Sequence, residues 1–365
     1  MAATMPKLRS SSAAGIARGF TLPAPLYFRP ETLEDEKKRL FPSTWQVVGH
    51  LRQAASPGDY FTVDLIGEPL LIARGEDGKL RAFYNVCRHR AGNPASGCGN
   101  RKLFRCGYHG WTYRLDGSLI STPEFEGVED FNPREFGLAP VRVEEWFNLI
   151  FVNLDPEARP LCECLGEMPV QAGKFDFAAM KFSERRTYEM NCNWKTYIDN
   201  YLEGYHVPSV HPSLNREIDY NAYSVEPYPQ YVRQWTPIRG AQLGDASPRR
   251  YQQAGDDLTA DYFWVFPNWM LNCYPDNISV NIILPLSPER TLAIFEWYLP
   301  ESQLGSDSAR QALVFSDEIQ DEDMRICEIV QKNLHSRSYL SGRYSVKQEK
   351  GVYAFHQMYR EWMGV

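Results

Sequence analysis

Two short Cys/His pairs constrain this chain more than any other feature. They are Cys87-Arg88-His89 and Cys106-Gly107-Tyr108-His109, in segments flanked by Gly92, Gly97, Gly99 and Gly110. Two thiolates and two imidazoles can hold one zinc ion. They can also hold a [2Fe-2S] cluster in which the cysteines bind one iron and the histidines the other, which raises the potential above that of an all-cysteine cluster. Zinc sites favour Cys-x-x-Cys and His-x-x-x-His halves, so Cys-x-His beside Cys-x-x-His favours the cluster. Cys98 lies between the halves, matches neither ligand position and reads as a loop thiol.

The surrounding texture is that of a small β domain. From Trp45 to about Asp155 short β-type runs such as Tyr60–Val63, Leu70–Ala73 and Asn148–Val152 alternate with turn signals at Glu76-Asp77-Gly78 and Asp116-Gly117. The 365 residues allow a second domain of similar or larger size. Residues 1–22 read as a tail, followed by a short helix from Glu31 to Phe41. The stretch 156–190 reads as transitional, a helix is expected from Asn193 to His206, a β-rich stretch from 222 to 299, and a long helix from Ser308 to Leu334 before a short tail. The expected boundaries are 1–40, 41–160 and 161–365, with an α+β second domain. Phe147–Val152 is typical of the apolar runs, far short of the ~18 residues that cross a bilayer, so no membrane span is expected. A formal charge of −7 argues against a nucleic-acid partner.

A second constellation lies at Glu203-Gly204-Tyr205-His206-Val207-Pro208-Ser209-Val210-His211. On one continuous helix two histidines five apart point about 140° apart, so they converge only if the helix breaks, and Pro208 is the expected break. Two imidazoles and one carboxylate on one face of an iron form the facial triad of non-haem Fe(II) oxygenases, with open positions left for oxygen and substrate. The carboxylate must come from elsewhere. The last long helix offers Asp317, Glu318, Asp321, Glu322, Asp323 and Glu328, and its apolar stripe is Phe315, Ile319, Ile326 and Val330 with Cys327 at the edge. Asp323 falls in the middle of that stripe, where a carboxylate needs a partner. It is the expected third ligand, with Glu322 the fallback.

Together the motifs Asn85-Val86-Cys87-Arg88-His89-Arg90, Cys106-Gly107-Tyr108-His109-Gly110-Trp111 and Asn200–His211 resemble those of the oxygenase (α) subunits of Rieske non-haem iron oxygenases. The resemblance implies an N-terminal all-β Rieske [2Fe-2S] domain followed by a helix-grip catalytic domain with a curved antiparallel sheet. By position, Cys87, His89, Cys106 and His109 carry over as cluster ligands, and His206, His211 and Asp323 as ligands of a mononuclear Fe(II). Most of the family has an aspartate three residues before the first iron histidine, bridging to the cluster of a neighbouring subunit. This chain has Glu203 there, which keeps the carboxylate and so the expected bridging role. The family arrangement also implies a head-to-tail homotrimer.

The stretches Asp199–Glu203, Tyr205–Pro208, Phe266–Met270 and Ile283–Leu286 look most like choline monooxygenase and the carnitine and betaine demethylating oxygenases. The implied chemistry is O2-dependent hydroxylation of a C–H bond of a quaternary ammonium compound. Attack on an N-methyl group gives a carbinolamine that releases formaldehyde, and attack on a choline-type alcohol carbon gives an aldehyde hydrate. Phe263, Phe266, Trp269 and Tyr274 are candidate cage residues for the cation. Hydroxylation of an aromatic acid or ring is the rival within enzymes, and an electron-transfer or zinc-binding protein without catalytic iron is the rival outside them. Gly97-Cys98-Gly99 is no dinucleotide signal, so a separate NAD(P)H-dependent reductase is the expected partner. Eight sparse cysteines suit a reducing compartment. A cytoplasmic location is expected, with an organellar transit peptide the minor alternative, since residues 1–30 hold Lys7, Arg9, Arg18, Arg29 and a serine run with no acid.

Overall fold

The structure is a computed structural model that describes residues 13–239 and 258–365. The chain separates into two compact units, residues 41–161 and residues 162–365 together with the described part of 13–40.

In the first unit the strands are β1 (Gln46–His50), β2 (Asp59–Leu65), β3 (Glu68–Arg74), β4 (Leu80–Tyr84), β5 (Cys98–Asn100), β6 (Leu103–Arg105), β7 (Thr112–Arg114), β8 (Leu119–Ser121), β9 (Pro140–Trp146) and β10 (Leu149–Asn153). Seven of them form an antiparallel sheet in the order β1-β10-β9-β4-β3-β2-β5, and β6-β7-β8 form a second, smaller sheet. The apolar runs supply the core: Leu70–Ala73 and Leu149–Val152 are all fully buried. Cys98 is exposed and lies on the edge strand β5, paired with Phe61, instead of in a loop.

The second unit holds α3 (Leu161–Leu165) from its second residue on, α4 (Met168–Ala172), α5 (Trp194–Tyr201), α6 (Val207–Val210), α7 (Pro212–Glu217), α8 (Asp307–Leu334) and α9 (Lys350–Met363). The N-terminal helices α1 (Ala13–Arg18) and α2 (Pro30–Arg39) pack with it. Its strands are β11 (Met180–Met190), β12 (Ser224–Pro227), β13 (Tyr231–Pro237), β14 (Thr259–Val265), β15 (Trp269–Cys273), β16 (Ile278–Ser287) and β17 (Arg290–Pro300). They form one antiparallel sheet, β11-β17-β16-β15-β14-β13-β12, a meander with β11 added to the β17 edge. On β14, Trp264 packs on Phe355 of α9 at 5.3 Å, while the opposite face turns Asp261 toward Arg233 and Lys174.

Several segments differ from the sequence expectation. Residues 13–22 are not a loose tail: Leu22 is buried, and its N–H donates to His356 Nδ1; residues 1–12 lie outside the described residues. The transitional stretch 156–190 contains β11, whose clustered charges in Glu184-Arg185-Arg186 and Glu189 disguise a strand that pairs with β17 along its length. After Leu334 the chain forms another helix, α9, with Val352, Phe355, Tyr359 and Met363 buried at helical spacing.

Candidate active site

In the first unit the two Cys/His loops are built alike. The Cys87 N–H donates to the Gly92 carbonyl and the Ala91 N–H to the Cys87 carbonyl, at 2.8 and 3.0 Å. In the second loop the Cys106 N–H donates to Trp111 and the Gly110 N–H to Cys106, at 2.9 and 3.0 Å. Ala91 and Gly110 occupy the same place, and both have positive φ, 57° and 76°, a conformation glycine adopts at least cost. A Cβ on Gly92 would come within 2.9 Å of Cys106 Sγ, so that position has to stay bare for the loops to close.

Cys87 and Cys106 are buried, and the His89 and His109 rings lie 4.7 Å apart. His89 Nδ1 is buried and has no hydrogen-bond partner. The His89 imidazole is held below its ordinary value by burial, with His109 and Arg90 adding to the effect, so it is neutral, the ligating form. Burial pushes the Cys87 thiol up, against the hydrogen bond it shares with Tyr113 Oη at 3.1 Å. A thiolate at that depth requires a cation. Two buried thiols and an orphaned imidazole nitrogen therefore fit a cluster. Trp111 stacks on His89 at 4.8 Å and keeps that side apolar.

In the second unit α5 starts at the Asn193 cap and ends at Tyr201, well before Pro208. The expected proline break is thus misplaced. The chain leaves the helix at Leu202–Gly204, where a Cβ on Gly204 would meet the Tyr223 ring at 2.9 Å, and Pro208 lies in the first turn of α6. His206 precedes α6 and His211 follows it, so one short turn folds the two rings back on each other.

Their Nε2 atoms lie 3.1 Å apart. Asp323 Oδ1 on α8 is 2.9 Å from His211 Nε2 and 3.5 Å from His206 Nε2. Glu203 Oε1 accepts a hydrogen bond from His206 Nδ1–H at 2.6 Å, and Glu322 Oε2 accepts one from His211 Nδ1–H at 2.7 Å. Both imidazoles are thereby fixed as Nδ1–H tautomers, and three acceptor atoms converge on one point, an arrangement that calls for a cation. Among the described residues, these three are the set of metal-binding side chains whose donor atoms all lie within 4.8 Å of one another. Glu322 is not the fallback ligand but the carboxylate behind His211. Glu203 is likewise behind His206, and its second oxygen accepts the backbone N–H groups of Tyr205 and His206.

The α8 stripe also needs correction. The face pressed into the protein is Leu313, Gln320, Cys327 and Gln331, whereas Val330 is 42% exposed. Phe315, Ile319 and Asp323 line the cavity over the three converging atoms instead. That cavity, about 130 Å³, is lined by eight aromatic rings: Tyr197, Tyr201, Tyr223, Tyr262, Tyr274, Phe295, Trp297 and Phe315. Of the expected cage residues only Tyr274 is among them. Phe263 and Trp269 point to the opposite face of the sheet from their strand neighbours Tyr262 and Met270, and Phe266 stacks on Trp362 of α9 at 5.9 Å. On the sheet side the cavity's polar lining comes from Asn272 on β15 and from Asn277, Ser279 and Asn281, and on the α8 side from Ser316 and Gln320. The sequence signal for Asn277, Ser279 and Asn281 is polar residues at every second position of Asn277-Ile278-Ser279-Val280-Asn281-Ile282.

Two family models match this architecture. Residues 44–132 match the Rieske [2Fe-2S] domain and residues 177–365 the catalytic domain of the ring-hydroxylating α subunit. The chain belongs to the Rieske oxygenase α-subunit family. It is 34% identical over 346 residues to choline monooxygenase from Beta vulgaris, covering 92% of this chain and 75% of the relative. It is 33% identical over 334 residues to the carnitine monooxygenase oxygenase subunit of Escherichia coli (strain K12), covering 88% and 86%. The crystal structure of a quaternary ammonium Rieske monooxygenase in complex with L-carnitine superposes with a TM-score of 0.83 at 28% identity, over 98% and 99% of the two chains. The protein is therefore a Rieske non-haem iron oxygenase that uses a [2Fe-2S] cluster and a mononuclear iron and works with a separate reductase on a small substrate. The zinc-binding and pure electron-transfer readings fall with that assignment. Among the described residues no helix is long and apolar enough to cross a membrane.

Proposed function

We propose that this protein oxidises a small quaternary ammonium compound, with Cys87, His89, Cys106 and His109 holding the cluster and His206, His211 and Asp323 the iron. The observation that carries the substrate class is the cavity beside the triad, with its eight aromatic rings and, among the described residues, no Lys or Arg. Aromatic faces attract a desolvated cation by about 0.5–2 kcal/mol each. The Tyr201, Tyr223 and Tyr262 hydroxyls are all pushed well up, by burial first, so the wall stays uncharged. A carboxylate-bearing aromatic acid would find no cation there among the described residues. The relatives named for choline and carnitine agree in their cationic head groups.

When bound, the iron supplies O2 activation, with two electrons delivered through the cluster from an NAD(P)H-dependent reductase. The residues of this chain do the rest. The tyrosine wall orients the ammonium group and the buried lining excludes water. Glu203 keeps the His206 Nε2 lone pair turned to the iron by holding the Nδ1 proton. Overall, one oxygen atom enters the C–H bond, and the other leaves as water with two electrons and two protons.

Glu203 lines both this cavity and a second one of about 290 Å³ that contains Asp199, Glu349 and His356. That two-sided position supports a bridging role in a head-to-tail homotrimer, carrying electrons from a partner's cluster to His206. None of the eight cysteines is paired in a disulfide, which supports a reducing, cytoplasmic location.

The test is formaldehyde release and oxygen uptake by the reductase-coupled enzyme with choline, carnitine, betaines and aromatic acids. Oxygen uptake coupled to a quaternary ammonium compound is the expected result, with formaldehyde distinguishing N-demethylation from alcohol-carbon oxidation. Coupled uptake with aromatic acids alone would overturn the proposal.

A further inference from the structure

Two of the residues lining the triad cavity carry buried polar atoms without a hydrogen-bond partner, Asn281 Oδ1 and Gln320 Nε2. The residues are only 3% and 2% exposed. Gln320 stands on α8 one turn before Asp323, and its other end is already engaged. The Tyr197 hydroxyl donates to Oε1 at 2.6 Å, which fixes the rotation of the carboxamide and leaves its NH2 unmatched. Tyr197 keeps its proton for this bond, because burial and then the Asp323 charge push it well up. Asn281 lies on β16, across from Phe295 on β17. Buried polar atoms are almost always paired, and leaving one unmade is costly. Two of them in one small cavity imply a ligand that supplies what they lack.

Their chemistry is complementary. Asn281 Oδ1 can only accept, and Gln320 Nε2 can only donate. A hydroxyl group offers both functions. A carboxylate only accepts, and a trimethylammonium group has no N–H or O–H to give. We infer that Asn281 and Gln320 are the polar anchor of the cavity and that they select a quaternary ammonium alcohol over the same cation without its hydroxyl. This rests on the substrate class proposed above and adds the group that discriminates within it. The aromatic wall would hold the cationic end, while the two amides orient the carbon that carries the hydroxyl.

The experiment measures calorimetric Kd values for the iron-loaded enzyme under argon, using two matched pairs: choline against ethyltrimethylammonium, and carnitine against γ-butyrobetaine. A site built to pair with a substrate hydroxyl can reject the analogue lacking it by on the order of 10⁴-fold, and for two uncharged amides we expect at least about 30-fold in favour of the hydroxyl member. Asn281→Leu and Gln320→Met should each shrink that ratio by about fivefold or more. Cluster absorbance and melting temperature check that the variants fold. A wild-type ratio below about threefold would overturn the inference without any variant being needed. So would an undiminished ratio in both folded variants. Binding of none of the four cations would overturn the substrate reading itself, and this inference with it, whereas tight binding with no hydroxyl preference defeats this inference alone.

Discussion

Glu203 and Glu322 do the same work on the two imidazoles: each accepts a hydrogen bond from Nδ1–H and leaves an Nε2 lone pair facing Asp323. Carboxylates behind ligating histidines raise ligand basicity, and removing one typically weakens metal binding 10–100-fold. Glu322→Ala should therefore raise the apparent Kd for Fe(II) by about 10–100-fold with an unchanged cluster spectrum; iron titration of the apo-site enzyme reads it. Glu203 differs because it also lines the second cavity. Glu203→Gln should keep both metals yet block turnover, and a single-turnover rate from pre-reduced enzyme equal to wild type would exclude the bridging role. The facing Cys/His pairs of the β domain and the convergence of His206, His211 and Asp323 were legible from residue type and spacing, because metal chemistry admits few donors. The cavity's tyrosines were not. Nothing in Tyr262 alone tells a core ring from a cavity ring until strand register assigns the faces.

The break that brings His206 to His211 shows how element-level reasoning can reach a correct convergence for the wrong local reason. Proline reads as a stop, but at Pro208 it begins a turn, where its missing N–H has no cost. Strand β11 and helix α9 are hard to see in the sequence for different reasons, the first because charges crowd its middle and the second because it follows what reads as a terminal helix. Helix α9 matters for the site because it anchors α5, the helix that leads into the triad loop. Glu36 of α2 accepts from Lys195 Nζ and Trp194 Nε1 of α5 and from the Tyr359 hydroxyl of α9, at 2.5, 2.8 and 2.6 Å, with Glu36 and Lys195 fully buried. Breaking a buried pair strands the remaining charge, at a cost of about 3–5 kcal/mol. Glu36→Gln should lower unfolding stability by about that amount in urea, and adding Lys195→Met should restore part of it. An unchanged midpoint for Glu36→Gln would mean the ion pair does not hold these helices together.

At the scale of the whole molecule, the chain combines two metal-binding units of different chemistry. One is a β domain whose paired loops present two thiols and two imidazoles, and the other an α+β domain whose helices converge two imidazoles and a carboxylate. The two-domain division and its order could be read from motif order and texture. The exact partition of the N-terminal helices could not, since their attachment depends on distant partners such as His356 and Tyr359. Because the two ligand sets share no residue, each site should load independently of the other. The most direct measurement is iron content per chain, taken together with the visible spectrum of the cluster, for wild type and for Asp323→Ala. Three irons per chain, from one two-iron cluster and one mononuclear site, should fall to two with the cluster spectrum unchanged, the outcome of independent loading. Unchanged iron content, or loss of the cluster along with the third iron, would contradict it.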